Sequence, residues 1–346
     1  MSIRAILDNT NIYSYDYDNE AWQALKNSHK DLKLIMPCCD SHAVPKTSKL
    51  NNYFFAHSKQ GECTSAPETP EHLYLKTLIA KIALSEGWQV ITEKQGKTSS
   101  GETWIADVFC TRGNAKLVFE VQWSTQTNDE FIRRSKKYKE SGIRCAWIYR
   151  LRGNKEYFKH DFSFGKDVPV FGIRQNKETK SLSVPQFGVS IEEFILGMFK
   201  GRLKWLPSEG DQLTAKVRPE SIRCWKCKKQ TKIIKEVLFY KNDVFISARS
   251  FSDRNIRELI LQNIKNSKLA KFGIGSIKKR YSKTVGSAYL SNGCYYCDSL
   301  MGNFFLMKNE GKLLNPIAEF DFICDQQLIK FDGDWFFGQE RSKSFF

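Results

Sequence analysis

Residues 104–123 constrain the fold more than any other stretch of the chain. Gly113-Asn114 separates two apolar runs, and a two-residue step of this kind between such runs is a β-hairpin turn. After the turn, Leu117, Phe119, Val121 and Trp123 alternate with Val118, Glu120, Gln122 and Ser124. A period of two is the pattern of a half-buried strand. With this turn Arg112 pairs with Ala115, and counting back sets Asp107 opposite Glu120. Opposed side chains in a hairpin lie roughly 5 Å apart at Cβ. Two carboxylates that close repel unless a cation neutralises them, and a hard divalent ion such as Mg²⁺ does so through oxygen ligands. Gln122 shares their face. The competing reading is an acidic pair on a solvated hairpin face.

The elements around this hairpin read as an α/β unit. A helix is expected over residues 67–86, with Pro70 in its first turn and Leu75, Leu78, Ile79, Ile82 and Ala83 as its apolar stripe. Glu68, His72 and Lys76 are four apart and share a side if the helix begins early enough. A strand over 88–93 and a flexible loop over 94–101 lead into the hairpin. Glu93 and Glu102 are each a further metal carboxylate or plain surface. Thr127 or Asn128 caps a cationic helix carrying Arg133, Arg134 and Lys137, which would hold backbone phosphate or be a solvated face. A strand over 145–149 closes the core, with Cys110 and Cys145 as core thiols. Residues 150–205 read as short strands and one helix, a connector or an extension.

Ten cysteines in a chain with no signal segment and no apolar run of membrane-spanning length place it in the cytoplasm and favour metal ligation over disulfides. Two C-x-x-C pairs, Cys224/Cys227 and Cys294/Cys297, are the usual way for two turns to present four thiolates to Zn²⁺. Four thiolates leave no open position, so this ribbon is structural. A second set, Cys38, Cys39, His57 and Cys63, with His42 as a substitute, lies in a short Ser/Lys-rich segment that lacks the apolar residues for its own core. It reads as a zinc staple or as buried, inert thiols. Residues 1–35 read as strands and one helix capped by Asp18, a packing module without chemistry.

The net charge is +16, and residues 216–283 carry 19 Lys and Arg against 5 Asp and Glu. An excess this local favours a polyanion partner. Trp225, Tyr295, Tyr296, Phe304 and Phe305 would stack on bases or fill a core. Three domains are expected: 1–66, 67–205 and 206–346, ending in a frayed tail over 341–346.

The order of several short pieces resembles the competence protein CoiA-like nuclease family within the PD-(D/E)XK superfamily. These are Phe54-Phe55-Ala56-His57, Glu68-Thr-Pro-Glu71-His72 with Lys76, Asp107, Glu120-Val-Gln122-Trp-Ser124, Arg134 four residues before Tyr138, Gly142-Ile143 and Trp147-Ile148. The resemblance covers residues 36–149 and implies a restriction-endonuclease-like mixed sheet flanked by helices. Added to it are an N-terminal zinc-knuckle-like module and a C-terminal α+β zinc-ribbon domain. It implies Mg²⁺ (or Mn²⁺) held by Asp107 and Glu120, a carboxylate near the ion from the preceding helix, and site roles for Glu68, His72 and Lys76. Gln122 stands where Lys is usual, so the general base is unassigned, and Lys76 or an arginine of the cationic helix would restore the missing charge. The implied activity is hydrolysis of DNA, RNA not being excluded, in DNA processing, recombination or defence. The rival is a DNA-binding protein that keeps the nuclease fold for its surface.

Overall fold

The computed structural model describes residues 1–59, 63, 68–153, 165–308, 311–331 and 333–338. The tail expected over 341–346 lies outside them. The chain divides into two compact units, Met1–Lys204 with Trp335–Phe346, and Trp205–Asp334.

In the first unit, β1 (Arg4–Leu7), β2 (Thr10–Tyr13), α1 (Asn19–Ser28) and β3 (Leu34–Ile35) come first. Asp18 caps α1 by accepting the Ala21 N–H at 2.8 Å. A hairpin of β4 (Ala43–Thr47) and β5 (Tyr53–His57) follows. The 36–66 segment therefore does carry core residues: Ala43 and Phe55 are fully buried against Trp22 and Leu34. The sequence hid this because its apolar residues are few and cover a neighbour's core rather than one of their own.

The rest of the unit is a sheet with helices on both faces. Its elements are α2 (Pro70–Ser85), β6 (Gln89–Lys97), β7 (Thr103–Arg112), β8 (Ala115–Gln122), α3 (Asn128–Glu140), β9 (Arg144–Arg150), β10 (Val170–Gln175), β11 (Leu182–Val184), β12 (Val189–Ser190) and α4 (Ile191–Phe199). Strand order is β12-β11-β10-β9-β8-β7-β6. The β8–β9 and β9–β10 pairs are parallel and the others antiparallel. Leu75 and Ile79 of α2 and Phe194 and Ile195 of α4 pack with Val108, Phe119, Val121 and Ile148 on one face. Phe131 and Tyr138 of α3 pack with Ala106, Val118 and Trp147 on the other. Residues 150–205 thus extend the core. The strand expected to be half-buried is covered on both sides: Val118, Phe119, Glu120 and Val121 are all buried. The alternation sorts residues between two helical layers rather than between core and water.

The hairpin register runs from Arg112↔Ala115 to Val108↔Phe119, as the Gly113-Asn114 turn requires. The paired register stops there, with Asp107 and Glu120 next in their strands. On its other side β7 pairs with β6 through Thr92↔Val108 and Lys94↔Ala106, so Glu93 falls on the rung of Asp107. Ala106 and Val108 are two apart and should share a face, yet Ala106 packs with α3 and Val108 with α2. The switch falls at Asp107, opposite Glu93, whose φ is +49°. Three neighbouring strands therefore carry three carboxylates abreast at a kink. β6 also continues to Lys97, so the expected loop over 94–101 begins only at Thr98. Pairing with β7 holds these polar residues in a strand that their composition did not announce.

β13 (Leu203–Leu206) follows α4. The second unit is built on β14 (Gln212–Arg223), β15 (Gln230–Lys241) and β16 (Val244–Ser250), with α5 (Arg254–Asn263) and α6 (Asn266–Ala270). After them come β17 (Lys278–Ser282), β18 (Ser287–Gly293), β19 (Leu300–Met301), α7 (Asn303–Lys308), β20 (Lys312–Leu313) and β21 (Ala318–Ile323); β22 (Asp334–Phe337) ends the described strands. Ile256, Leu259 and Ile260 of α5 bury their stripe against Leu213, Val217, Ile234 and Phe239.

Candidate active site

Thr69 begins α2 by accepting the His72 N–H at 3.2 Å, and Pro70 occupies the first turn, where its missing N–H costs nothing. Glu68 therefore lies just outside the helix, beside its first turn. Glu68, His72 and Asp107 each offer a ligand atom, all within 4.8 Å of one another. His72 Nε2 is 3.4 Å from Asp107 Oδ2. Glu68 Oε2 is buried and has no hydrogen-bond partner among the described residues, while His72 Nε2 is turned to Asp107. A buried carboxylate oxygen is normally satisfied, so Glu68 Oε2, left open beside His72 and Asp107, fits a cation. The carboxylates and the imidazole suit a divalent metal at the hard end of the transition series.

Asp107 accepts the Val121 N–H at 2.8 Å, where the β7–β8 ladder has ended. Burial pushes its carboxyl up, but His72, Lys76 and this amide outweigh burial and hold it well below the usual range. His72 shows the same contest. Burial lowers its pKa, while Asp107 and Glu68 raise it more.

Glu120 is held from behind. Only 1% exposed, it accepts from Arg134 Nη2 at 2.6 Å and, in a very short bond, from the Tyr138 hydroxyl. Burial and then the charge of Asp107 push its carboxyl up to about 8. Both partners come from α3, on successive turns of one face. Arg134, expected as a phosphate contact, thus faces inward and lies 4.7 Å from the centre of the Trp147 ring. Arg133 pairs with Glu130 at 2.7 Å. Lys137 pairs with Glu102 at 3.0 Å, which places Glu102 on the surface at the hairpin's mouth.

Lys76 is fully buried, 2.8 Å from Glu68 and 2.5 Å from Glu93. Burial lowers its pKa, but these two carboxylates raise it further than burial lowers it. Its ammonium fixes the carboxylates around the site and is not free to reach a substrate. Gln122 turns its amide nitrogen to the carbonyl and hydroxyl of Ser124, at 3.0 and 2.8 Å.

Glu68, His72, Asp107 and Gln122 border a pocket of about 380 Å³ whose walls also include Ser2, Arg4 and Cys38. The N-terminal segment, expected to be packing only, therefore reaches the site. Ser2 Oγ and the Ile3 N–H donate to the Glu93 carboxylate, and Arg4 donates to its carbonyl. No local signal could have found this contact, which joins residues about ninety positions apart.

Both cysteine sets converge. Cys38, Cys39, His57 and Cys63 bring their ligand atoms within 4.8 Å of one another. Cys38 Sγ stands 3.3 Å from His57 Nε2 and 3.6 Å from Cys63 Sγ. His42 is turned away to His29, 3.2 Å between ring nitrogens. In the second unit Cys224, Cys227, Cys294 and Cys297 form an equally tight group. Its two knuckles repeat one backbone. The Cys224 and Cys294 N–H groups donate to the carbonyls of Lys229 and Ser299, and Lys228 and Asp298 each take positive φ, 63° and 54°. These Cys and Cys/His groups fit zinc.

The site lies in a mixed sheet between helical layers, with carboxylates gathered where the β7–β8 hairpin changes face. Residues 68–196 match the family described as competence protein CoiA, nuclease-like domain. No curated protein matches the chain. Two solved structures are similar in part. One is a protein of unknown function, AF1548, with 13% identity and a TM-score of 0.23 over 29% of this chain and 57% of that one. The other is the small subunit (R.BspD6I2) of the heterodimeric restriction endonuclease R.BspD6I, with 13% identity and a TM-score of 0.22 over 31% of this chain and 65% of that one. The chain thus spans less than two thirds of either. No helix among the described residues is long and apolar enough to cross a membrane.

Proposed function

We propose that this chain is a divalent-metal-dependent nuclease that hydrolyses phosphodiester bonds of DNA in the cytoplasm, in DNA processing, recombination or defence against foreign DNA. The observation that carries the reading is the convergence of Glu68, His72 and Asp107, with the Glu68 Oε2 buried and unpartnered among the described residues. Glu68, His72 and Asp107 would hold the ion, Mg²⁺ or Mn²⁺, with Glu120 beside Asp107. The ion would supply Lewis-acid polarisation of the phosphate and a lowered pKa for attacking water. The protein's own residues do the positioning. Lys76 clamps Glu68, the Val121 amide orients Asp107, and Arg134 with Tyr138 holds Glu120 in place. Arg4, on the pocket wall, offers a guanidinium to a substrate phosphate. Gln122 can hydrogen-bond water or phosphate but cannot take a proton at neutral pH. In this reading the two cysteine sets hold structural Zn²⁺, in an N-terminal module (1–66) and a ribbon domain (206–346) around the nuclease domain (67–205).

Titration calorimetry with Mn²⁺ and Mg²⁺ tests the site. The wild type should bind one of these ions at a single site that is lost in Asp107→Ala. Equal binding by both proteins would refute it. The Gln122 substitution and the inward turn of Arg134 favour a second reading, in which the domain binds DNA without cutting it.

A further inference from the structure

The second unit contains a cavity of about 620 Å³. Trp225 of the first zinc knuckle, Arg257 of α5, Tyr281 and Lys283 at the β17–β18 turn, Tyr289 of β18 and Phe304 of α7 contribute to its wall. Three of its rings are exposed to a degree unusual for their size: Tyr281 by 65%, Phe304 by 60% and Trp225 by 47%. Aromatic surface left open around one cavity marks a binding site rather than a core. The Trp225 ring is also fixed in place, because its Nε1–H donates to the Leu300 carbonyl at 2.8 Å.

Arg257 is the opposite case, a charge that is hidden. It is 8% exposed and makes no ion pair among the described residues. Among the described residues its Nε lacks a partner, and Nη1 reaches only the Phe251 carbonyl, at 3.5 Å. The nearby acids are otherwise engaged, since Glu258 pairs with Arg254 at 2.8 Å and Asp253 caps α5. The guanidinium carbon sits 5.8 Å from the centre of the Tyr289 ring. A buried guanidinium without an anion costs stability, and it is the group best shaped to receive a phosphate.

We propose that this cavity binds a short run of single-stranded polynucleotide, with bases stacked on Trp225, Tyr281 and Phe304 and a backbone phosphate on Arg257. Bases stack on aromatic faces whatever their identity, and cations track the backbone. Lys283 at the rim and the excess of positive charge over 216–283 supply the long-range attraction. DNA and RNA share this chemistry. The proposal does not depend on whether the Asp107 centre cuts.

The test uses the full-length, zinc-loaded chain carrying Asp107→Ala, without added divalent metal. Fluorescence anisotropy reads binding of labelled oligo-dT, oligo-rU and a blunt duplex. Tyr281→Ala and Phe304→Ala should each weaken single-strand binding by about tenfold or more and leave duplex binding within twofold, with zinc content and melting unchanged. Loss on dT alone, or on dT and rU together, supports the site and tells which polymer it takes. Arg257→Gln should also flatten the salt dependence by about 0.7 in slope. Single-strand affinity within twofold of the parent in both ring variants, or an equal loss on duplex, would overturn the proposal.

Discussion

Arg134 donates to Glu120 across 2.6 Å, from α3 to β8 beneath it, and Glu120 is almost wholly buried. The cation that the sequence offered to phosphate is spent on keeping a second carboxylate beside Asp107.

Arg134→Met should therefore destabilise the first unit. It leaves Glu120 buried with the Tyr138 hydroxyl and no counter-charge, and above pH about 8, where this carboxyl ionises, breaking a buried pair on one side costs about 3–5 kcal/mol. Chemical denaturation followed by circular dichroism checks this. Stability equal to wild type with a changed salt dependence of DNA binding would make Arg134 a surface phosphate contact instead.

Lys76→Met should be comparably damaging, by about 3–5 kcal/mol, because Glu68 and Glu93 both lose their buried counter-charge. The double variant Lys76→Met/Glu93→Gln should recover part of the loss. A thermal melt at constant pH reads both. No recovery in the double variant would show that the two groups act independently.

His57→Ala should lower the zinc content of purified protein by one equivalent, while His42→Ala should leave it unchanged, since His42 is committed to His29. Cys297→Ser should remove a different equivalent and unfold the ribbon, because binding energy at such sites is folding energy. Atomic absorption on each variant decides. Native protein without zinc would contradict both assignments.

What could be read in advance was local. The Gly113-Asn114 turn determines its own register, so Asp107 and Glu120 could be aligned by counting, and C-x-x-C spacing brings its own ligands together. The caps of α1 and α3 are short-range as well. What could not be read depends on which helix covers which face. The alternation through Val118 and Glu120 looks the same whether that face meets water or α3, and only Arg134 and Tyr138, four apart, hint at the second. Ser2, Arg4 and Glu93 meet through a contact far apart in sequence. Arg257 carries no mark in the sequence that distinguishes it from the other cations of its block.

The central claim is that the Asp107 centre cuts nucleic acid, and its most direct test is cleavage of labelled linear, single-stranded and branched DNA with Mg²⁺ or Mn²⁺. The wild type should cut at least one substrate only when metal is present. Asp107→Ala and Glu120→Gln should lose the activity by about a hundredfold or more while remaining folded. Cutting that survives both substitutions would contradict the account, as would DNA binding with no metal-dependent cutting of any substrate.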